Sequence, residues 1–237
     1  MEGLPSSLHL APGEVHSWCA HLNVPPDTSA RLYATLTGDE RDRSARFRFD
    51  GDRQRFVVAR GVLRDLLARY LKTEPARVGF VYNVFGKPAL DPHLGSEVTF
   101  NLSHSGRLAL IAIARAVNVG VDVEYIKWQP DCLEVARQLF PATEVEYLSG
   151  LPSHLQGEAF FSCWTQREAY VKASGAGLSM PLNGISLAEA RIPNSKFQIA
   201  NCWSVYTFRP APDYAGALAI EGSGWRLRQW QWNTRQH

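Results

Sequence analysis

Three carboxylates draw attention by type and spacing. In Gly120-Val121-Asp122-Val123-Glu124 valines alternate with acids, and an extended chain turns Asp122 and Glu124 onto one face. Carboxylates about 7 Å apart on a sheet face repel one another unless positive charge lies between them. A hard divalent cation such as Mg²⁺ meets that need and leaves positions for waters and a phosphate-bearing substrate. A half-exposed edge strand with both acids in water fits the same alternation. The third acid, Glu168, lies in Phe160–Ser174 (FFSCWTQREAYVKAS), which no Gly or Pro interrupts. Trp164, Glu168 and Lys172 recur every four residues, so a helix aligns an aromatic surface, an oxygen ligand or base, and a point cation. The competing reading is an exposed Glu–Lys pair beside a core tryptophan, worth about 0.2–0.5 kcal/mol.

Phosphate-seeking groups recur elsewhere. Arg41–Phe56 (RDRSARFRFDGDRQRF) carries Arg41, Arg43, Arg46, Arg48, Arg53 and Arg55 and no lysine. A solvated helix face explains some of them, but guanidinium in preference to ammonium suits bidentate phosphate contact. Phe100–Ser105 (FNLSHS) ends an apolar run in Ser103 and His104, whose hydroxyl and imidazole can donate to phosphate oxygens. Adjacent Ser and His seldom form a nucleophilic pair, and no GxSxG elbow is present. Lys87 sits in a Gly86-Lys87-Pro88 turn. Together the acids and cations suit holding a polyanionic nucleotide with Mg²⁺ for phosphoryl chemistry. The absence of a Walker loop and of GxGxxG excludes P-loop and Rossmann enzymes. A noncatalytic nucleotide-binding module and a Mg²⁺-dependent nuclease or phosphatase remain as alternatives.

The elements that must position these groups follow from periodicity. The 237 residues, 45% hydrophobic and 20% charged, suit one globular domain or two small ones. A net charge of +2 is too small to argue for nucleic acid by itself. Cys19, Cys132, Cys163 and Cys202 are too scattered for a zinc site and read as free thiols. No apolar run approaches the roughly 18 residues of a membrane span, and no signal segment opens the chain, so a cytoplasmic, membrane-free protein is expected. A strand over Glu14–Val24 is broken by Pro25-Pro26-Asp27. Thr37 and Glu40 form a capping box opening a short helix. The pattern Phe56, Ala59, Leu63, Leu66, Leu67, Tyr70 predicts an amphipathic helix over Gly51–Lys72, with Arg60 and Arg64 on its flank. Strands are expected at Val78–Val84, Val98–Leu102, Leu108–Ala114 and Val119–Tyr125. The last three form a meander that turns first at Ser103–Gly106, with the apolar Leu108–Ala114 central. Two short helices between Asp131 and Leu148 break at Pro141, with a second capping box at Thr143 and Glu146. A polar loop, Gly150–Gly157, precedes the long helix, which Gly175 to Gly177 stops. Strands follow at Ile185–Leu187, Phe197–Phe208, Ala215–Glu221 and Trp225–Trp232. The order implies an α+β protein of two comparable halves with a seam near Val117–Gly120.

FNLSHS (100–105), GVDVE (120–124) and WTQREAYVKASGAGLS (164–179), with ARGVLR (59–64) and GKP (86–88), resemble the surfactin-type 4'-phosphopantetheinyl transferases in kind and separation. The resemblance runs from about Leu36 to Leu187. It implies two pseudosymmetric subdomains, 1–118 and 119–237, each an antiparallel sheet packed with a long helix, and an active site in the cleft between them. It implies Mg²⁺-dependent transfer of the 4'-phosphopantetheine arm of coenzyme A to a serine of an acyl or peptidyl carrier protein, releasing 3',5'-adenosine diphosphate. By position, Asp122, Glu124 and Glu168 would ligate Mg²⁺. Glu168, or a water it orients, would take the serine proton, and Lys172 would contact the pyrophosphate. Ser103 and His104 would bind coenzyme A phosphates, Lys87 the nucleotide portion, and Arg43 and Arg60 the 3'-phosphate. Arg167 stands where the family usually has lysine, keeping the charge at that phosphate contact but not the shape. The face around Cys132–Pro152, with Leu139, Phe140 and Tyr147, would dock an acidic carrier protein. A monomer without nucleic-acid or membrane partners is expected.

Overall fold

The computed structural model describes residues 8–127, 131–175, 196–199 and 203–233. The chain divides into two compact units, Met1–Ala116 with Arg226–His237, and Val117–Trp225.

In the first unit, β1 (Glu14–His21) leads to helix α1 (Pro26–Ala34). The proline run expected only to break a strand therefore starts a helix. Pro26 in the first turn gives up no hydrogen bond, and Asp27 complements the helix dipole. Helix α2 (Gly38–Ala45) has the expected capping box, Thr37 N–H donating to Glu40 Oε2 at 3.0 Å. Helix α3 (Asp50–Leu71) spans 22 residues. At Gly61 a Cβ would stand 2.6 Å from Leu32 Cβ, so glycine there admits α1. Strands β2 (Phe80–Tyr82) and β3 (Pro88–Leu90) form a hairpin around Lys87. The longer strand expected at Val78–Val84 is cut short by a 3₁₀ turn over Pro75–Arg77 and by the hairpin loop, where Gly86 N–H donates to Asn83 O.

Strands β4 (Val98–Ser105) and β5 (Leu108–Arg115) pair through Ser105 and Leu108. The expected turn at Ser103–Gly106 is thus displaced: ladder pairing outlasts the Ser-His-Ser signal, and Gly106 supplies the positive φ of 55°. The last strand of the chain, β10 (Arg226–Trp232), lies parallel to β1 in a sheet of order β10-β1-β5-β4. The strand assigned by sequence to the second half therefore completes the first sheet, where Trp230 stacks on Trp18 at 5.1 Å and Trp232 Nε1 donates to Asp65 Oδ2 of α3 at 2.8 Å. Leu63, Leu66 and Leu67 of α3 share one buried cluster with Trp18, Ile111 and Ile113, each such side chain contributing roughly 1.5–3 kcal/mol of burial.

In the second unit, β6 (Val119–Tyr125) does not continue the meander but pairs with β9 (Tyr214–Glu221). Helices α4 (Asp131–Leu139) and α5 (Ala142–Gly150) break at Pro141 as expected. Pro141 is also the N-cap of α5, so Thr143 is an interior helix residue and not a cap. Helix α6 (Ser153–Ser174) again has 22 residues and ends at Gly175, φ 70°. It absorbs most of the loop expected at Gly150–Gly157: its first turn is polar because it is exposed, and Gly157 is buried within it. The strand expected over Phe197–Phe208 is an antiparallel pair, β7 (Lys196–Ile199) and β8 (Trp203–Phe208), with Ile199 opposite Trp203. The strand expected at Ile185–Leu187 lies outside the described residues. The sheet order is β6-β9-β8-β7, antiparallel throughout. Among the described residues, each unit thus has a four-stranded sheet packed with one long helix, the α+β organisation expected.

Candidate active site

Alternation along β6 works as its sequence predicts. Val119, Val121 and Val123 are buried, and Asp122 and Glu124 share the other face, opposite Ala217 and Ala215 of β9. Gly120 explains how a helix reaches that face. A Cβ there would lie 2.0 Å from Ala169 O and 2.4 Å from Ala173 N, so the backbone of α6 rests directly on the strand. Ala169, Ala173, Ala217 and Ala219 line the contact. Residues 168 and 172 precede those two alanines on the helix, and they meet the acid two residues beyond Gly120. Lys172 Nζ donates to Asp122 Oδ1 at 2.5 Å, joining groups fifty residues apart.

Asp122 is 2% exposed and Glu168 half-buried. Burial first, and then the charge of Asp122, push the Glu168 carboxyl above its usual range, with Lys172 opposing. Glu168 Oε1 is buried and accepts no hydrogen bond from the described residues. Lys172 therefore meets only part of the demand for positive charge. A hard cation fits what remains, since ionised carboxylate oxygens without donors are the ligands it prefers. Among the described residues, however, no three His, Cys, Asp or Glu side chains are gathered as a ready metal set. The Asp122 charge acts on Glu168, and Glu124 lies partly exposed one alternation further along β6.

Two expected phosphate contacts take other partners. Arg167 is fully buried: Nη2 donates to Glu144 Oε1 of α5 at 2.8 Å, and its guanidinium lies 4.3 Å from the Phe140 ring centre. It ties α5 and Phe140, at the end of α4, to α6 and does not face solvent. Arg60 is likewise buried, its Nε donating to Glu40 Oε1 and its Nη2 to Tyr82 Oη at 2.6 Å. Phe140, expected on a docking face, is 4% exposed and stacks on Phe160, while Arg137 beside it is exposed. Trp164 stacks partly buried on Phe160 at 6.1 Å.

The remaining expected contacts lie in the first unit. Ser103 is buried and His104 exposed, since neighbours in a strand face opposite ways. Lys87 is half-buried in the β2–β3 hairpin, and burial lowers its pKa. Arg43 is exposed on α2 with its guanidinium 5.5 Å from the Phe56 ring centre. It lines an open concavity with Asp39, Arg46, Phe47 and Tyr82. Tyr82 had no sequence signal, whereas Glu40 was legible only as a helix cap and its second role as an ion-pair partner was not.

Comparison with known proteins adds an independent line. A profile of the 4'-phosphopantetheinyl transferase superfamily matches residues 118–219, and one described as "4'-phosphopantetheinyl transferase, N-terminal" matches residues 25–116. The chain is 38% identical over 229 residues to the 4'-phosphopantetheinyl transferase HetI of Nostoc sp., covering 96% of each. It is 36% identical over 152 residues to a putative 4'-phosphopantetheinyl transferase of Synechocystis sp., 64% of this chain and 62% of that one. Against the 4'-phosphopantetheinyl transferase Sfp of Bacillus subtilis it is 29% identical over 161 residues, 68% of this chain and 70% of that one.

Proposed function

Since the chain belongs to the 4'-phosphopantetheinyl transferase superfamily, we propose that it moves the 4'-phosphopantetheine arm of coenzyme A onto a carrier-protein serine, with Mg²⁺ held by Asp122 and Glu168 and with Glu124 in support. The observation that carries the site assignment is the coupled Asp122–Glu168 acid pair with Lys172 on Asp122, assembled by α6 lying on β6. When bound, Mg²⁺ neutralises pyrophosphate charge and acts as a Lewis acid toward the phosphoryl group.

The chain's own residues supply the rest. The serine hydroxyl attacks the β-phosphorus of coenzyme A, the bond from that phosphorus to the 3',5'-adenosine diphosphate oxygen breaks, and the hydroxyl proton goes to Glu168 directly or through one water. A carboxylate made more basic by burial is suited to that transfer. Lys172, 29% exposed and anchored on Asp122, stabilises charge on the departing nucleotide. In the first unit, Arg43 and Lys87 receive the nucleotide portion, and Ser103 and His104 the phosphates. The exposed surface of α4 and α5 around Arg137, with Leu139 and Tyr147, receives the carrier protein, and opposite charge there would steer an acidic partner. A single chain holds all these groups, so a monomer is expected. Neither the binding-module nor the phosphohydrolase reading draws support from the relatives.

The test is mass spectrometry of apo carrier proteins from fatty-acid, polyketide and nonribosomal-peptide systems, incubated with the protein, coenzyme A and Mg²⁺. A gain of about 340 Da, set by the covalent group transferred, is expected on at least one carrier. Asp122→Asn and Glu168→Gln should abolish the gain while circular dichroism shows the fold retained; transfer at near-normal rate by either variant defeats the site assignment. Arg137→Glu should raise KM for the carrier more than KM for coenzyme A, and the reverse order would count against this docking surface.

A further inference from the structure

A buried charge cluster of the first unit lies outside the groups given a part in the transfer. Glu40 of α2 is 2% exposed, and both its oxygens are engaged. Oε1 accepts from Arg60 Nε, and Oε2 accepts from Arg64 Nε at 2.7 Å and from Thr37 N–H at 3.0 Å. Arg64 Nη1 in turn donates to Pro75 O at 3.0 Å and Val78 O at 2.8 Å. Arg60 donates to Tyr82 Oη and lies 4.1 Å from the Phe80 ring centre. Phe80 meets Phe100 of β4 edge-on at 5.4 Å. One carboxylate thus ties α2, α3 and the β2 hairpin together, with contact continuing into the strand that carries Ser103.

Such a cluster is not needed for stability, since an apolar packing of similar volume commonly does as well. What charges add is a fixed register, because guanidinium and carboxylate meet in few geometries. Both guanidiniums share the Glu40 carboxylate, and Arg60 also attracts the Asp39 carboxylate of α2. Arg60 lies beside Tyr82, which faces the concavity that Asp39, Arg43 and Arg46 line.

We infer that Glu40, Arg60 and Arg64 form a positioning hub for the nucleotide end of coenzyme A: Glu40 sets the pose of α2 and hence of Arg43 and Arg46, and Arg60 sets Tyr82 as the opposite wall. Arg60 acts through Tyr82 and does not touch the phosphate. The inference rests on the reading that Arg43 receives the 3'-phosphate.

Steady-state kinetics with coenzyme A and with 3'-dephospho-coenzyme A as donors separate the possibilities. Tyr82→Phe removes only the hydroxyl that Arg60 holds, and Glu40→Gln removes the charge that holds both arginines. Each should lower the preference for coenzyme A over its dephospho form by about fivefold or more, the effect of one lost charge-assisted hydrogen bond. The change should appear in KM for coenzyme A, with kcat and carrier KM within about twofold of the wild type. Arg43→Ala is the control for the underlying reading. If it leaves the donor preference intact, the phosphate assignment fails and the inference falls with it. If Arg43→Ala collapses the preference while Tyr82→Phe leaves it whole, the hub is only structural and the inference alone is overturned. Tyr82→Phe decides the matter even where Glu40→Gln does not fold.

Discussion

At the scale of single residues, like side chains have divergent fates. Arg43 and Arg60 carry the same group, yet one is exposed beside an aromatic ring and the other buried on a carboxylate. Spacing could not separate them, because the partner that captures Arg60 lies twenty residues away on another helix. Glu168 and Lys172, by contrast, were legible: helical spacing put them on one face, Lys172 donates to Asp122, and the Asp122 charge acts on Glu168. The raised pKa of Glu168 has a consequence for stability. Its charged form is disfavoured in the folded state, so its contribution is fully present below the ordinary value near 4.5 and lost as pH rises through the raised one. Glu168→Gln should therefore raise the unfolding temperature at pH 7.5 without divalent ions, and the gain should vanish toward pH 4. Mg²⁺ should stabilise the wild type but not the variant, which differential scanning calorimetry across pH and metal concentration would check.

At the scale of elements, the site is the consequence of one helix lying on one strand without a side chain between them, at Gly120. That glycine was visible in the sequence as part of a motif, but its reason is the α6 backbone, which only the fold brings there. The Arg167–Glu144 pair governs the other side of α6. Both side chains are almost fully buried, so Arg167→Met should take the guanidinium partner from the buried Glu144 carboxylate and cost about 3–5 kcal/mol of stability. The double variant Arg167→Met/Glu144→Leu should recover most of that loss in urea unfolding. Its KM for coenzyme A should stay near the wild-type value if Arg167 serves packing; a large rise in KM with stability restored would return Arg167 to a phosphate-binding role.

At the scale of the whole molecule, the chain ends by returning to its first unit, where β10 runs parallel to β1. His16 lies at this closure, its ring 4.4 Å from Trp230 edge-on and Nδ1 2.6 Å from Tyr70 Oη. Burial lowers its pKa to about 4, against the opposing influence of Glu14. The unfolded chain therefore takes up the proton first, and stability present above pH 6.5 is lost as pH falls toward 4. The wild type should lose about 2 kcal/mol between pH 7.5 and 5 through this residue. His16→Gln should flatten that slope in denaturant titrations, and an unchanged slope would place the acid sensitivity elsewhere. Sequence alone determined the α+β class, the two long helices, the strand bearing Asp122 and Glu124 and the helix bearing Glu168 and Lys172, because local periodicity and glycine or proline punctuation encode them. Tertiary structure decided which arginines face solvent, which sheet receives β10 and that Lys172 of α6 reaches Asp122 of β6. Those outcomes depend on partners distant in sequence, whose pairing and burial no local pattern records.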